Sequence, residues 1–253
     1  MSSADEPIHQ RLLALAAPRP GEIVVDLGCG AGPTLSALAL AAPGARLLGI
    51  DRSEQSLRAA VNVLKRHIGG RSGVAIADLR DPLPLLDGSV DVVLSYNTVE
   101  CVPDPVALLH DVARVLRPGG RLVLAHVDFD SLIIAGADAD LDRRVCHAYA
   151  DLPQPWMDNA DGRVGRKLPG LVRQSSLRLT MVESMVSAST ELDGHAAERV
   201  DEVYGALRSA SRHGTGVPSL DDVERWRLQV SEADVRGTFY FTEVTVIAVA
   251  ERP

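Results

Sequence analysis

The chain has 253 residues, 46% of them hydrophobic, enough to bury the core of one large α/β domain or of one domain with a small appendage. Its formal charge of −8 gives no electrostatic case for nucleic acid or an anionic membrane surface as partner. No apolar run approaches the ~20 residues of a membrane span, and MSSADEPIHQ lacks the basic-then-apolar form of a secretory leader. The three cysteines (Cys29, Cys101, Cys146) are far apart and form no CxxC pair, so a reducing cytoplasm is expected, with neither a disulfide frame nor a zinc site.

In chain order, residues 8–17 predict a short leading helix ended by the Pro18/Pro20/Gly21 cluster. EIVVDL (22–27) is a short β-branched run, as in strands covered on both faces. A helix rich in alanine and leucine follows from Pro33 and stops at Pro43-Gly44. RLLGI (46–50) is a second strand, ending at Asp51. Ser53 caps the next helix, whose apolar face carries Leu57, Val61, Leu64 and Ile68. Residues 74–77 form a third strand ending at Asp78, and 90–94 a fourth. Pro105 opens a helix that ends in LRPGG (116–120), and 121–125 is the fifth strand. Strands separated by helical stretches imply right-handed crossovers and a parallel sheet. Such sheets take ligands beyond the carboxyl ends of their strands, at the switch point of strand order.

VVDLGCGAGPT (24–34) therefore sits at the ligand-facing end of the first strand. Gly28 and Gly30 permit positive φ and a close backbone approach where the strand turns into its helix. A dinucleotide fingerprint GxGxxG would place its last glycine at position 33, which is Pro33 here. Asp26 also lies where a pyrophosphate, which prefers helix-N-terminal N–H groups, would be repelled. S-adenosylmethionine (SAM) brings a sulfonium and an α-ammonium, and both suit an acidic surround. Asp51, at the end of the second strand, is placed to accept from both ribose hydroxyls. Asp78, at the end of the third, can accept from the adenine amino group while Leu79 offers its N–H. Each carboxylate alone reads equally well as a turn or cap residue; three at the ends of successive strands favour a SAM pocket.

VVDLGCGAG, the GID ending strand two, ADL, DVVLSYNTVECVPDP and LRPGG resemble, in order and spacing, the class I SAM-dependent methyltransferases. The branch that acts on small molecules, including ubiquinone/menaquinone-type and natural-product enzymes, is the nearest in style. The resemblance covers residues 20–127 strongly and the final strand weakly. It implies a Rossmann-like, doubly wound, mostly parallel seven-stranded sheet with an antiparallel last strand. It also implies that Asp26, Gly28, Gly30, Asp51, Asp78, Leu79 and the Ser95–Asn97 stretch hold SAM, with Cys29 and Arg52 beside them and Asn97 as the contact from strand four. Relatives often read LEHVPDP or LHHVPDP where this chain has VECVPDP, with Cys101 in the usual histidine position. SYNT (95–98) lacks the prolines of the [DN]PP[YF] motif of enzymes that methylate exocyclic or side-chain amines, which points away from nucleic acid and release-factor substrates.

After residue 127 the alternation breaks. A helix is expected over 139–150, then an irregular stretch around PQPWMDNADG, a helix over 165–176, and a sixth strand over 177–186. Helices over 195–212 and 219–230 precede FYFTEVTVIAVAE, which closes the sheet antiparallel. The expected division is a SAM-binding core at 1–130, a helical lid or acceptor insertion at 131–175, and the last two strands at 176–253 with a helical insertion at about 190–235. These insertions form either a lid over the acceptor site or an oligomer interface, the latter implying a homodimer. Of nine aromatic residues only Tyr96 precedes residue 127. Flat apolar side chains suit a pocket for a small ring-bearing acceptor, and equally the core of small helical insertions; Tyr149 and Trp156 are the favoured pocket residues.

In-line methyl transfer needs orientation, exclusion of water and, for a hydroxyl acceptor, a base. Residues leaving strands four and five supply the candidates: Glu100, His126 and Asp128. The Asp128/Asp130 pair reads as a solvated strand exit, and no metal is expected. Three activities remain open: a SAM-dependent methyltransferase acting at O, N or C of a small molecule; a SAM-binding cyclase, decarboxylase or regulatory protein; and an NAD-dependent oxidoreductase, against which Pro33 and Asp26 count.

Overall fold

The computed structural model describes residues 6–67, 72–153, 161–212 and 217–253. Trp156 and most of the segment around it, and Ile68, lie outside these. The described residues form helices α1 (Glu6–Ala16), α2 (Pro33–Ala41), α3 (Glu54–His67), α4 (Pro105–Val115), α5 (Ala139–Ala150), α6 (Val164–Gln174), α7 (Gly194–Ser211) and α8 (Leu220–Val235). The strands are β1 (Ile23–Leu27), β2 (Arg46–Asp51), β3 (Gly73–Ile76), β4 (Val90–Tyr96), β5 (Leu116–Ala135), β6 (Arg178–Ser189) and β7 (Tyr240–Glu251).

The apolar runs of the first half become strands because helices bury them from both sides. One core packs β1, β4 and β5 against α4 and α6, and another packs the opposite face against α1, α2 and α3. The seven strands lie in the order β3-β2-β1-β4-β5-β7-β6. The first five are parallel, and β7 runs antiparallel to both β5 and β6. This is the expected α/β, Rossmann-like architecture. Strand order reverses between β1 and β4, so the crevice opens where Leu27 and Ser95 pair. No helix among the described residues is long and apolar enough to cross a membrane.

α8 runs five residues and β6 three past their expected ends, and β5 departs furthest from its expected boundaries. LRPGG opens β5 instead of closing α4: Leu116 pairs with Val90, the chain bulges with Gly119 at φ +73, and regular pairing resumes at Arg121. At its other end β5 runs ten residues past Ala125. After Asp128 the register with β7 shifts, and pairing restarts at Ile133. The Ser131 hydroxyl covers the gap, donating to the Asp128 carbonyl at 2.6 Å and accepting from the Val244 N–H at 2.9 Å. The excursion is held by burial: Phe129, Leu132 and Ile134 enter a third core built with α5, α7 and α8.

That third core is tied by charge as well as by apolar contact. Glu243 on β7 accepts from Arg199 Nε at 2.9 Å and lies 2.5 Å from His195 Nε2, both on α7. Arg199 also reaches Glu202 at 2.5 Å and stands 5.1 Å from the Phe129 ring centroid. Tyr149 on α5 donates to Glu202 at 2.6 Å. Arg199 and Glu243 are both buried, so removing one partner strands the other's charge. Glu243→Ala is expected to lower the free energy of unfolding by about 3–5 kcal/mol, read by urea denaturation. A loss under ~1 kcal/mol, the scale of an exposed pair, would show that the network carries no weight.

Candidate active site

The turn after β1 is shaped by what it touches. Gly28 has φ +69, and a Cβ there would lie 2.2 Å from Thr98 Oγ1, so only glycine lets the exit of β1 rest against the exit of β4. Gly30 has φ +51, yet a Cβ there would meet nothing within 4 Å; this side of the turn is open. The Gly28 and Cys29 N–H groups donate to the Ile50 carbonyl at 2.8 and 3.1 Å, fixing the turn to β2. The Cys29 thiol points into the core against Gly49, and burial raises its pKa; this residue offers backbone only. Pro33 sits in the first turn of α2, after Gly32 in the left-handed region.

A cleft of about 370 Å³ opens over these strand ends. Six of the residues singled out from sequence line it: Gly28, Asp51, Arg52, Asp78, Leu79 and Asn97. The three strand-end carboxylates are held in three different ways. Asp51 accepts at one oxygen from the Gly30 N–H (2.9 Å) and at the other from the Ser53 N–H (2.8 Å). Asp78 accepts from the Arg80 guanidinium, at 2.6 Å from Nη2, and from the Arg80 N–H at 3.0 Å, which holds its carboxyl down at about 2. Asp26 is buried behind the turn, and its Oδ2 has no hydrogen-bond partner among the described residues. Burial first, and the nearby Asp51 second, push it up to about 8.

Asn97 takes φ +51, unusual for a residue with a side chain, and turns the chain out of β4. Its Oδ1 accepts from the Val127 N–H at 2.9 Å, linking β4 to β5. The 3₁₀ turn Val99–Cys101 follows. Thr98, Cys101 and Val102 face the cleft, whereas Glu100 turns inward and is buried. Glu100 Oε1 lies 3.6 Å from His126 Nε2. His126 is wholly buried, and its Nδ1, 2.8 Å from the Val127 carbonyl, must carry a proton to donate there. Burial pushes Glu100 up to about 8 and His126 down to about 4, so at neutral pH both are uncharged, with the Nε2 lone pair toward Glu100. Asp128 stands apart: its carboxylate is bound through both oxygens by Arg166 of α6, at 2.5 and 2.8 Å. Tyr149 is buried in the third core, its ring edge-on to Phe129.

With this geometry in place, comparison with known proteins is decisive for the family. The methyltransferase-domain family matches residues 18–178, more than half of the chain. The chain belongs to the class I SAM-dependent methyltransferases. An uncharacterized 37.1 kDa protein of a Streptomyces fradiae transposon is 32% identical over 238 residues, 92% of this chain and 63% of that protein. Nocamycin O-methyltransferase of Saccharothrix syringae is 40% identical over 120 residues, 47% of this chain and 42% of its own. The chain thus matches less than two thirds of the length of each of these relatives. Among solved structures, the [4+2]-cyclase SpnF superposes with a TM-score of 0.58 over 98% of this chain and 81% of its own, at 16% identity, a likeness of fold alone.

For this methyltransferase family member, sequence reasoning missed Thr98, Ser53, Ser56, Arg80, Cys101 and Val102 as walls of the cleft. Arg80, two residues beyond Asp78, was the most legible of them, since its spacing lets it fold back on that carboxylate. The buried Asp26 also has a measurable signature. An unfolded aspartate titrates near ~4, whereas folding holds this one neutral up to about pH 8. Between those values the unfolded chain has lost a proton that the folded chain keeps, so stability falls as pH rises. Asp26→Asn is expected to remove that slope, gaining stability relative to the wild type at pH 8 and not at pH 4. Parallel stability–pH curves for the two proteins would contradict a neutral Asp26.

Proposed function

We propose that the protein transfers the methyl group of SAM to a small-molecule acceptor. The observation that carries this reading is the pairing of an open glycine turn with two carboxylates at the β1/β4 crevice, one of them buried with an unpartnered oxygen. Such a site suits a ligand with positive charge and hydroxyl donors and disfavours a diphosphate. Asp51, already oriented by two backbone N–H groups, would accept from the ribose hydroxyls. Asp26 would face the ammonium, and Asp78 with the Leu79 N–H would meet the adenine. SAM supplies an electrophilic methyl on a sulfonium; the protein supplies alignment of the acceptor at ~3–3.5 Å and a dry surround.

We further infer that the acceptor atom is a hydroxyl oxygen that reaches past the 3₁₀ turn to the inner side, where Glu100 stands beside His126, and that Glu100 takes its proton. The O-methyltransferase relative supports oxygen, and the Glu100–His126 pair supports a base kept away from solvent. As the O–CH₃ bond forms and the S–CH₃ bond breaks, the hydroxyl proton passes to the Glu100 carboxylate. His126, a positioning residue here, receives a hydrogen bond from the acid so formed. Because Glu100 is uncharged below about pH 8, turnover is expected to rise with pH up to that value and then level. Glu100→Gln should flatten this rise and leave SAM affinity unchanged; an intact rise would remove Glu100 from the reaction.

Calorimetric titration with SAM and with NAD tests the cofactor directly. SAM is expected to bind, and Asp51→Ala to weaken it by about 1–3 kcal/mol, the scale of a lost charge-assisted hydrogen bond. NAD binding without SAM binding would end the proposal. Incubation with methyl-labelled SAM and a cell extract then tests transfer: label on a small molecule is the expected result, and SAM binding without transfer would favour a non-methylating role.

A further inference from the structure

The two edges of the sheet differ. On one side the sheet ends in β3, a strand of four residues. On the other it ends in β6, twelve residues long, and among the described residues β6 pairs with β7 alone. Natural sheets guard long edges with charge, proline or bulges. Here those devices gather at the start of β6: Arg178 pairs with Glu251, and the register shifts between Leu179 and Met181. From Met181 to Ser189 the strand is regular, residue for residue, against Val249 to Phe241. That stretch is roughly 30 Å long and contains one charged residue, Glu183, whose carboxylate is taken up by Arg11 of α1 at 2.8 Å from Nε. Its exposed face is Val182 (47%), Ser184, Val186 (67%) and Ala188.

We propose that β6 is the seam of a homodimer, in which two copies pair antiparallel about a two-fold axis at Ser184. The charge pattern selects a second copy as the occupant. A chain of net charge −8 repels itself over most approaches, but along Met181–Ser189 the sole charge, Glu183, is neutralised internally by Arg11. The register is self-complementary. Val182 falls beside Val186 of the partner subunit, and the reverse match follows by symmetry. Glu183 falls beside Met185 of the partner subunit, so no like charges stand opposite. An unrelated strand would meet the same free backbone edge without this doubled match. The proposal is independent of the reaction assigned to the cleft.

Sedimentation velocity on the full chain at tens of micromolar tests it. The wild type is expected to sediment as a dimer and Val186→Lys as a monomer, with SAM affinity and circular dichroism unchanged; Val186 is two-thirds exposed, so this variant should fold. Ser184→Cys should form a disulfide-linked dimer without reductant, since residues facing each other across an antiparallel pair have Cα atoms about 4.5–5.5 Å apart. The wild type, with its own three cysteines, should not cross-link and serves as the control. A monomeric wild type, a Val186→Lys dimer, or a Ser184→Cys dimer that fails to cross-link would each overturn the β6 seam.

Discussion

Gly28 leaves no room for a side chain beside Thr98, and this contact closes the floor of the crevice where strand order reverses. The surrounding bonds serve the same approach: Ser95 Oγ donates to the Leu27 carbonyl at 3.0 Å, and the Gly28 and Cys29 N–H groups are held by Ile50. With the floor sealed by backbone, the turn exposes its Gly30 side. Asp51 accepts from that residue's N–H while standing in the cleft itself. Side-chain charge and backbone shape at the crevice are therefore one construction. Moving the glycine turn would detach a carboxylate from its second donor.

The carboxylates at the strand ends differ because their surroundings differ in water and in donors. Asp78, near solvent, has an arginine and stays ionised far into acid. Asp51 has two amide donors. Among the described residues Asp26 has neither, and in a buried setting the neutral acid wins. On the proposed reading, a cationic ligand would reverse that balance, since an ammonium near Asp26 stabilises the carboxylate that burial disfavours. Affinity for such a ligand would then include the cost of ionising Asp26, and binding would release a proton in neutral buffer.

How much was legible follows from the range of the interactions involved. The parallel strands, the glycine turn and the capped helices rest on local patterns, and their places in the chain were readable. Pro33 spoke against a dinucleotide loop and indeed opens α2. The ends of β5 were not readable, because LRPGG looks like a helix stop and the strand continues only through β4, β7 and the third core. Asp128 has the composition of a base, but its partner Arg166 lies 38 positions away. Arg199 lies on α7, and Glu243, which binds it, is 44 positions away. Local chemistry foretold the residues that line the cleft at the ends of β1 to β4 better than the surroundings of β5, where almost every partner is distant in sequence.

That asymmetry bears on the helical insertions, which sequence left as either a lid or an interface. Trp226 is fully buried, Phe239 and Phe241 nearly so, and the Tyr149 hydroxyl is occupied by Glu202. These aromatics therefore serve first as the core that welds α5, α7 and α8 to the extension of β5. Phe129, in that extension, is edge-on to His126 on one side and to Tyr149 on the other, with centroids 5.9 and 5.7 Å away. The Glu100–His126 pair is thus backed by a packed wall whose charges are internally matched. The position of that wall is set by the length of one strand, since the residues that anchor it, Phe129, Leu132 and Ile134, all lie in the ten residues that β5 runs past Ala125.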